Sequence, residues 1–467
     1  MWVNRGMPPF DPSRLTPRQK DELIRDLTRL VDAQAGRIAA LEARLAGANP
    51  PKTPANSSLP PSRGHKRNRP RRRAATATPR KRRDGPGVTR RLAERPDRVV
   101  ACHAPACRHC GATVPPERQR LRAQYDHIEL PPVRPVVTRV RVLGGRCPGC
   151  RRRLRGTPPA DMMSPGGSPF GRSVVAMLAY LHHHHAIAYE RLGTLMAELF
   201  GLAISEGAIA NALKRTRAVL ARATEAITAR LRRARTICCD ETGARLDGRT
   251  AWEWVLVSRD AVLHRIVPSR SGRVVGAVLA GHRPRTWVSD RWSGQLGHAE
   301  CHQVCLAHVL RDVQYAIDGG DAVLAPALRR LLRWAVRIGR RRDRLKDGTL
   351  KSYHAQAERR LDDLMRRKPS TPAGQALLAQ TKRWRAGFFV FLEDRAVPAT
   401  NNASERALRP SVVFRKVTHG FRSTWGADVH AQLRSVIGTA GLAGTAAHRA
   451  IADALAGVPP PSPRPAP

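Results

Sequence analysis

Acidic residues at two predicted strand ends are the part of this sequence best suited to chemistry. The apolar run Ile237-Cys238-Cys239 ends in the doublet Asp240-Glu241, and the run RTWVSD also ends in an acid, Asp290. Carboxylates beside a buried strand end are costly unless they are paired or bind a metal. Two divalent cations about 4 Å apart can stabilise the attacking and leaving oxygens of phosphoryl transfer. These acids therefore point to metal-dependent phosphoryl chemistry.

The pattern around the acids predicts a sheet that brings two of them together. Strands are predicted at residues 236–240, 251–258, 261–267 and 285–290, with a short helix at 272–279. Three antiparallel strands, a helix and a further strand are the opening order of a ribonuclease-H-like fold. In that fold the first and fourth strands are neighbours. We therefore predict that Asp240 and Asp290 lie side by side.

A third acid is predicted on a helix late in the same domain. In the stretch ATNNASERALRPSVVFRK, Asn401 or Asn402 can cap a helix that starts near residue 403. Glu405 then lies in the first turn of that helix. Glu393 and Asp394 are rivals, but they follow an aromatic run and are interpreted as a turn.

Other side chains near these acids are expected to have supporting roles. Glu241 is the rival of Asp240, and because successive strand residues face opposite sides, only one of the two can face the site. We expect Asp240 to be the ligand and Glu241 to pair with an arginine. Cys301, Cys305 and His308 are expected to support the strand of the second aspartate rather than to bind a second zinc ion.

Two closely spaced cysteine pairs predict a structural zinc site. Cys107 and Cys110 form one pair, and Cys147 and Cys150 form the other. Four thiolates on two tight turns suit a tetrahedral Zn²⁺ ion, although the pairs are further apart than usual. An alternating strand is predicted between them at residues 136–142. Three nearby side chains could replace one ligand: Cys102, His103 and His109.

The charge of the chain points to a polyanionic partner. It has 83 basic and 37 acidic residues, a net charge of +46, and nucleic acid is the usual polyanion that neutralises such an excess. A membrane surface is the other candidate, but no apolar run approaches eighteen residues and no signal peptide is recognised. We therefore expect a cytoplasmic, nucleoid-associated protein without a membrane partner.

Basic residues concentrate in a segment that cannot build a core. Residues 49–99 are rich in proline, serine and arginine and are interpreted as a linker whose basic side chains contact DNA phosphates. Arg415, Lys416 and Arg422 are expected to contact phosphates near the acids. The predicted phosphate contacts in the linker are Arg63, Lys66, Arg67, Arg69, Arg71, Arg72, Arg73, Arg80, Lys81, Arg82 and Arg83.

Helical patterns occur on either side of the linker and the cysteines. Residues 16–46 begin with a capping box and carry an apolar seam typical of a short coiled coil. This seam predicts a homo-oligomer, although docking on another helix remains open.

Residues 189–215 have the helix, turn and helix signals of a helix-turn-helix, and an ordinary helical hairpin has the same spacing. The four histidines 182–185 cannot converge on one ion from a helix and are expected to form a solvated turn.

These features occur in an order that resembles transposases of the insertion-sequence-66 family. The resemblance covers nearly the whole chain. It is carried by NSSLPPS (56–62), the long-spaced cysteine pairs, DETG (240–243), CLAHVLRD (305–312), NNASER (401–406) and SVIGTA (435–440). Each motif alone is weakly specific, and their shared order is highly specific. One departure is Arg291-Trp292 after the second aspartate, where the family tends to have Gly-Tyr.

The resemblance implies a DDE transposase. Asp240, Asp290 and Glu405 would be the catalytic triad and would bind two Mg²⁺ or Mn²⁺ ions. The implied activity is binding of terminal inverted repeats, cleavage at their ends and transfer of the 3′-hydroxyl to target DNA. Accessory proteins of the same element could take part. The alternative is a DNA-binding protein without catalysis, either a regulator or a decayed transposase.

The predicted fold is a multidomain α+β chain. A ribonuclease-H-like catalytic domain is preceded by a coiled-coil helix, a zinc module and a helical domain. The predicted boundaries are 1–48 for the coiled-coil helix, 49–99 for the linker, 100–156 for the zinc module, 157–233 for the helical domain, 234–440 for the catalytic domain with a helical insertion at about 320–385, and 441–467 for a C-terminal helix and proline-rich tail.

Overall fold

The computed structural model describes residues 16–46, 50–57, 90–159, 162–163 and 167–463. The chain divides into two units. The smaller unit holds Lys66–Arg139 and Thr194–Ile204, and the larger holds Met1–His65, Val140–Gly193 and Ser205–Pro467. All three acids of the predicted triad belong to the larger unit. The basic residues predicted to contact DNA between positions 63 and 83 lie outside the described residues.

The N-terminal helix begins at the predicted capping box. Helix α1 runs Pro17–Ala46, the Thr16 N–H donates to Gln19 Oε1 at 3.0 Å, and the Gln19 N–H donates to Thr16 Oγ1 at 3.4 Å. Reciprocal bonds of this kind satisfy donors that have no partner within the helix. The described apolar residues of the seam are exposed, namely Ile24, Leu27, Val31 and Ile38. Pairing of this seam with a second helix remains a prediction.

The expected strand at residues 136–142 is not formed. The short strands in this region are β1 (Gly144–Arg146) and β2 (Arg153–Arg155), which pair antiparallel. Val136 and Val137 are 92% and 88% exposed. An alternating pattern forms a strand only where a neighbouring strand and an apolar surface are available, and here it finds neither among the described residues.

Helices precede the main sheet, and a π-helical segment interrupts them. The helices are α2 (Arg172–Ala179), α3 (Tyr189–Phe200), α4 (Glu206–Arg215) and α5 (Arg217–Leu231), and the π-helical segment is Tyr180–His184. The Ser205 hydroxyl caps α4 by accepting from the Ala208 N–H. The sequence predicted the bounds of α3 and α4.

The prediction that the four histidines form a solvated turn is wrong for two of them. His182 and His183 are buried. The His182 Nδ1 lies 2.7 Å from the Ile187 carbonyl, and His183 Nδ1 lies 3.2 Å from His430 Nδ1. The wider π-turn directs both rings inward. The His182 ring meets the Phe414 ring edge-on, and the His183 ring stacks on it.

The main sheet has five strands in the order β5-β4-β3-β6-β7. β3 pairs antiparallel with β4 and parallel with β6, so the predicted first and fourth strands are neighbours. Asp247 and Gly248 join β3 to β4 with φ of 50° and 70°, as an Asp-Gly hairpin turn requires. The strands are β3 (Thr236–Leu246), β4 (Arg249–Val257), β5 (Val262–Val267), β6 (Thr286–Ser289) and β7 (Cys301–Val304).

Helices cover the sheet and fill the stretch between β7 and the helix of Glu405. The predicted insertion at about 320–385 contains α8, α9 and α10, whose apolar faces share one core with β6 and β7. No helix in the described part of the chain has the length and apolarity needed to cross a bilayer. The remaining helices are α6 (Arg273–Leu279), α7 (Leu306–Asp318), α8 (Ala325–Gly339), α9 (Asp347–Met365), α10 (Pro372–Arg383), α11 (Val390–Glu393), α12 (Asn402–Thr418), α13 (Thr424–Leu442) and α14 (Ala447–Leu455).

Helix α13 closes the exposed edge of the sheet through the motif SVIGTA. The Ser435 hydroxyl accepts from the His264 N–H at 2.8 Å, and the Thr439 hydroxyl accepts from the Val262 N–H at 3.0 Å. These backbone donors of β5 would otherwise be open to pairing with another strand. Gly438 permits the close approach, because a Cβ there would lie 2.9 Å from Val262 Cγ1.

Gly438→Ala should lower the free energy of unfolding by about 1–3 kcal/mol, because the added methyl group overpacks the contact with Val262. The melting temperature should fall accordingly. Gly441→Ala on the same helix is the control, because its Cβ would meet nothing within 4 Å. That change should be neutral or stabilising through helix propensity. Equal effects of the two glycine changes in thermal denaturation would contradict this account.

Candidate active site

Two of the predicted acids lie at matching positions on neighbouring strands. Cys238 of β3 is in register with Val288 of β6, and the two strands are parallel. Asp240 and Asp290 each follow two residues later. Asp290 lies just beyond β6, where its carboxylate Oδ1 accepts from the Trp292 N–H at 3.0 Å. The sheet thus directs both acids to one end of the β3–β6 pair.

Asn401 ties the helix of the third acid to the same strand. Its side-chain amide donates to the Cys239 carbonyl at 2.7 Å, and its backbone N–H donates to Cys305 Sγ at 3.2 Å. Asn401, one of the two predicted caps, is the N-cap residue of α12, but its side chain makes no capping hydrogen bond and reaches β3 instead. Glu405 lies in the first turn of α12. The tie therefore holds the first turn of α12 against β3, where the charge of Glu405 acts on Asp240.

The three acids form one electrostatically coupled group. Burial, together with the charges of Glu241, Asp290 and Glu405, raises the pKa of Asp240 to about 8. Removing water from a carboxylate and placing like charges beside it both disfavour ionisation. A site of this kind gains free energy from a bound cation.

Glu241 has partners of its own, as the sequence predicted. Its Oε1 accepts from Arg270 at 2.8 Å, and its Oε2 accepts from Gln295 at 2.6 Å. The Arg270 guanidinium lies between the rings of Trp252 and Trp292, 4.5 and 4.3 Å from their centroids. Burial raises the pKa of Glu241, and the hydrogen bonds from Arg270 and Gln295 oppose that rise.

Cys305 and His308 lie beside Glu405. Ligand atoms of these three residues lie within 4.8 Å of one another, and His308 Nδ1 is 3.9 Å from Glu405 Oε1. Both of these atoms are buried without a hydrogen-bond partner among the described residues. Burial lowers the pKa of His308 and raises that of Cys305. Cys305 also supports β6, the strand that precedes Asp290, as expected. Its N–H donates to the Ser289 carbonyl.

A buried carboxylate oxygen without a hydrogen bond is costly, so the unpartnered Glu405 Oε1 fits a cation ligand. The donor atoms grouped with it are the Cys305 sulfur and a His308 nitrogen, whereas Mg²⁺ and Mn²⁺ prefer oxygen ligands, which Asp240 and Asp290 could supply.

The prediction that Arg415 contacts DNA is corrected by its burial. Its guanidinium donates to Glu253 Oε2 at 2.9 Å and to Thr242 Oγ1 at 3.2 Å, and only 11% of its side chain is exposed. An arginine held in an internal ion pair is not available to a phosphate. Lys416 and Arg422 are exposed, and their phosphate contacts remain predictions.

Each cysteine pair lies on a turn of the same form. The Cys107 N–H donates to the Ala112 carbonyl and the Gly111 N–H donates to the Cys107 carbonyl, and the turn at Cys147 repeats both bonds. Backbone N–H groups lower the pKa of Cys107 and of Cys147. Both turns therefore favour thiolates. The first pair belongs to the smaller unit and the second to the larger, and their joint binding of zinc remains a prediction.

Several residues at the site were not found from the sequence. Glu241 is held by Arg270 and Gln295, and Arg270 packs on Trp252. These residues come from separate elements and share no motif spacing. Asn401 was noticed only as a helix cap. Its position in NNASER was the available signal, but the bond to Cys239 depends on the packing of α12 against β3.

A mixed five-stranded sheet with coupled carboxylates on and beside two neighbouring strands is consistent with the catalytic domain of a transposase. The family model described as Transposase IS66 family matches residues 167–429. That range includes the whole main sheet and all three acids, and it is more than half of the chain. The chain belongs to this family. No curated protein matches it.

Asp240→Asn should raise the stability of the metal-free protein. The neutral side chain removes a buried charge and its repulsion, a gain on the order of a few kcal/mol. Because the pKa of folded Asp240 is raised to about 8, the gain should be greatest above pH 8. It should vanish below about pH 4, where the carboxyl is protonated in both states.

Thermal denaturation in EDTA across this pH range would measure the effect. Glu241→Gln is the matched control, and its gain should be smaller because Arg270 and Gln295 already compensate that charge. A gain for Glu241→Gln as large as that for Asp240→Asn would contradict the assignment of Asp240 to the repelling group.

Proposed function

We propose that this chain is a DNA transposase that binds the terminal inverted repeats of its element, cuts at their ends and joins the 3′-hydroxyl to target DNA. Its location would accordingly be the nucleoid. The observation that carries the proposal is the coupled group of Asp240 within β3, Asp290 just beyond the neighbouring β6, and Glu405 in the first turn of α12. Family membership supports the same activity.

The catalytic domain is proposed to be ribonuclease-H-like. The order β5-β4-β3-β6-β7, with three antiparallel strands followed by two parallel ones, supports this assignment. The three carboxylates would hold two Mg²⁺ or Mn²⁺ ions. When bound, such ions stabilise the attacking and leaving oxygens of phosphoryl transfer. Water and then the freed 3′-hydroxyl would act as nucleophiles, with no covalent enzyme intermediate.

Neighbouring residues would position the carboxylates. The Trp292 N–H holds Asp290, and Asn401 holds the first turn of α12 against β3. Arg291 pairs with Asp312 of α7. Arg291 and Trp292 stand where the family tends to have Gly-Tyr. Arg291 thus bonds to α7, and Trp292 bonds to Asp290 itself. This arrangement supports an active enzyme over a decayed one.

The remaining predicted regions are proposed to bind DNA and to assemble the complex. The basic linker with Lys416 and Arg422 would contact phosphates, and the helix-turn-helix of α3 and α4 would contact the terminal repeat. One Zn²⁺ would be held by Cys107, Cys110, Cys147 and Cys150. The exposed apolar seam of α1 supports pairing into a homo-oligomer. Accessory proteins of the element could join this complex.

Asp240→Asn, Asp290→Asn and Glu405→Gln should each reduce strand transfer below detection while DNA affinity is retained, because a lost ligand misplaces the cations and not the DNA. A Mg²⁺-dependent assay with labelled ends of the element, paired with a binding assay, would measure both. Glu393→Gln and Asp394→Asn are controls, since these rivals should keep activity. A wild-type chain that binds the ends without cutting them would support the inactive DNA-binding alternative.

The full-length chain should contain one Zn²⁺ per molecule when purified with the metal supplied. Cys107→Ser with Cys110→Ser, or Cys147→Ser with Cys150→Ser, should abolish zinc binding, because two thiolates alone do not complete a tetrahedral site. Metal analysis by mass spectrometry would measure the content, with Cys102→Ser as the control. Full zinc content in either double variant would refute the four-cysteine site.

A further inference from the structure

Helices α8 and α9 form an open groove of ≈ 940 Å³ with a strongly basic rim. Leu310 of α7 and Trp334 of α8 contribute apolar surface to it. Six arginines line it, namely Arg330, Arg333, Arg337, Arg340, Arg360 and Arg367, and of the described lining residues only Asp363 is acidic. Asp363 is engaged by Arg366. The groove is therefore a concentrated cationic surface.

Four of these arginines form a straight row. Arg330, Arg333, Arg337 and Arg340 are exposed and recur at steps of three and four residues along α8. This spacing puts them on one helical face, over a length of about 15 Å. The Arg360 guanidinium lies 4.8 Å from the Trp334 ring centroid, which holds a fifth cation beside the row. A row of like charges on one face is unfavourable unless a polyanion lies along it.

Duplex DNA fits this row better than other polyanions. One strand of a duplex presents a phosphate about every 3.4 Å of axis, so a row of about 15 Å can meet several in succession. Guanidinium groups bind phosphate in a bidentate manner.

The groove adjoins the helix that begins at the candidate active site. His308 in the first turn of α7 lies beside Glu405, and Leu310 two residues later lines the groove. Residues two apart on a helix face different sides. DNA in the groove would therefore be a segment other than the one at the reacting phosphate.

We propose that the row of arginines on α8 binds the backbone of duplex DNA flanking the site of reaction. The inference rests on the proposed transposase function and assigns a role to the helical insertion. Contact would be with phosphates and hence independent of base sequence. Its loss would weaken DNA binding and leave the chemistry of bound DNA unchanged.

The test uses the full-length chain with Arg330→Gln, Arg333→Gln, Arg337→Gln and Arg340→Gln combined. Fluorescence anisotropy with a 30-base-pair duplex of random sequence, over a series of salt concentrations, should give roughly tenfold or greater loss of affinity. Each lost phosphate contact should also reduce the salt slope by about 0.9. An unchanged affinity and slope would overturn the proposal.

Two double variants with the same loss of charge distinguish DNA binding by the groove from DNA binding by net charge. Arg333→Gln with Arg337→Gln removes two arginines of the row, and Arg344→Gln with Arg359→Gln removes two exposed arginines of the same insertion that do not line the groove. The first pair should weaken binding and the second should not. Equal losses would overturn the proposal, because the DNA would then respond to total charge alone. Melting temperatures should be unchanged in both pairs.

A cleavage readout distinguishes failure of this inference from failure of the proposed function. At saturating DNA, the fourfold variant should cut the element's ends at the wild-type rate, whereas at low DNA it should cut more slowly. Slower cutting at saturation would overturn the flanking role. If the wild-type chain cuts no DNA but the fourfold change still weakens duplex binding, the proposed activity fails and the groove assignment stands.

Discussion

The burial and mutual repulsion of carboxylates just beyond the pairing of β3 with β6 are the constraint to which the surrounding structure responds. Burial, followed by the charges of the nearby acids, raises the pKa of Asp240 to about 8. Such a cluster would separate if its side chains were free to move. The parallel pairing of β3 with β6, and the bond from Asn401 to the Cys239 carbonyl, hold the backbones in place instead. The sheet offsets the cost of holding these charges together, so a cation at the proposed site would meet acids that are already gathered.

Helix α12 is held at both ends, which explains the burial of Arg415. Near its start Asn401 bonds to β3, and near its end Arg415 pairs with Glu253 of β4. Burial would raise the pKa of Glu253, but the hydrogen bond from His264 and the charges of His264 and Arg415 hold it below its usual value. Removing one partner from such a buried pair costs about 3–5 kcal/mol. Arg415 therefore positions the helix that carries Glu405.

The local sequence predicted the elements better than their partners. Strand and helix periodicity located β3 to β6 and the first turn of α12, because those patterns depend on residues close together in the chain. The same reasoning failed for residues 136–142, where alternation occurs without a sheet to pair with. It also failed for His183 and Arg415, whose partners His430 and Glu253 are distant in sequence. Burial of a polar side chain depends on tertiary packing, which no short window contains.

Helix α7 runs from the acids to a contact with Asn56. It starts with Cys305 and His308 beside Glu405, and it ends at Asp318, whose carboxylate accepts from the buried Asn56 side chain at 2.9 Å. Asn56 opens the motif NSSLPPS, and the run of basic residues begins a few positions later in the sequence. A buried amide bonded to a carboxylate is a specific anchor, since either group left alone would lose a hydrogen bond. This bond thus fixes Asn56 at the C-terminal end of the helix that begins at the acids.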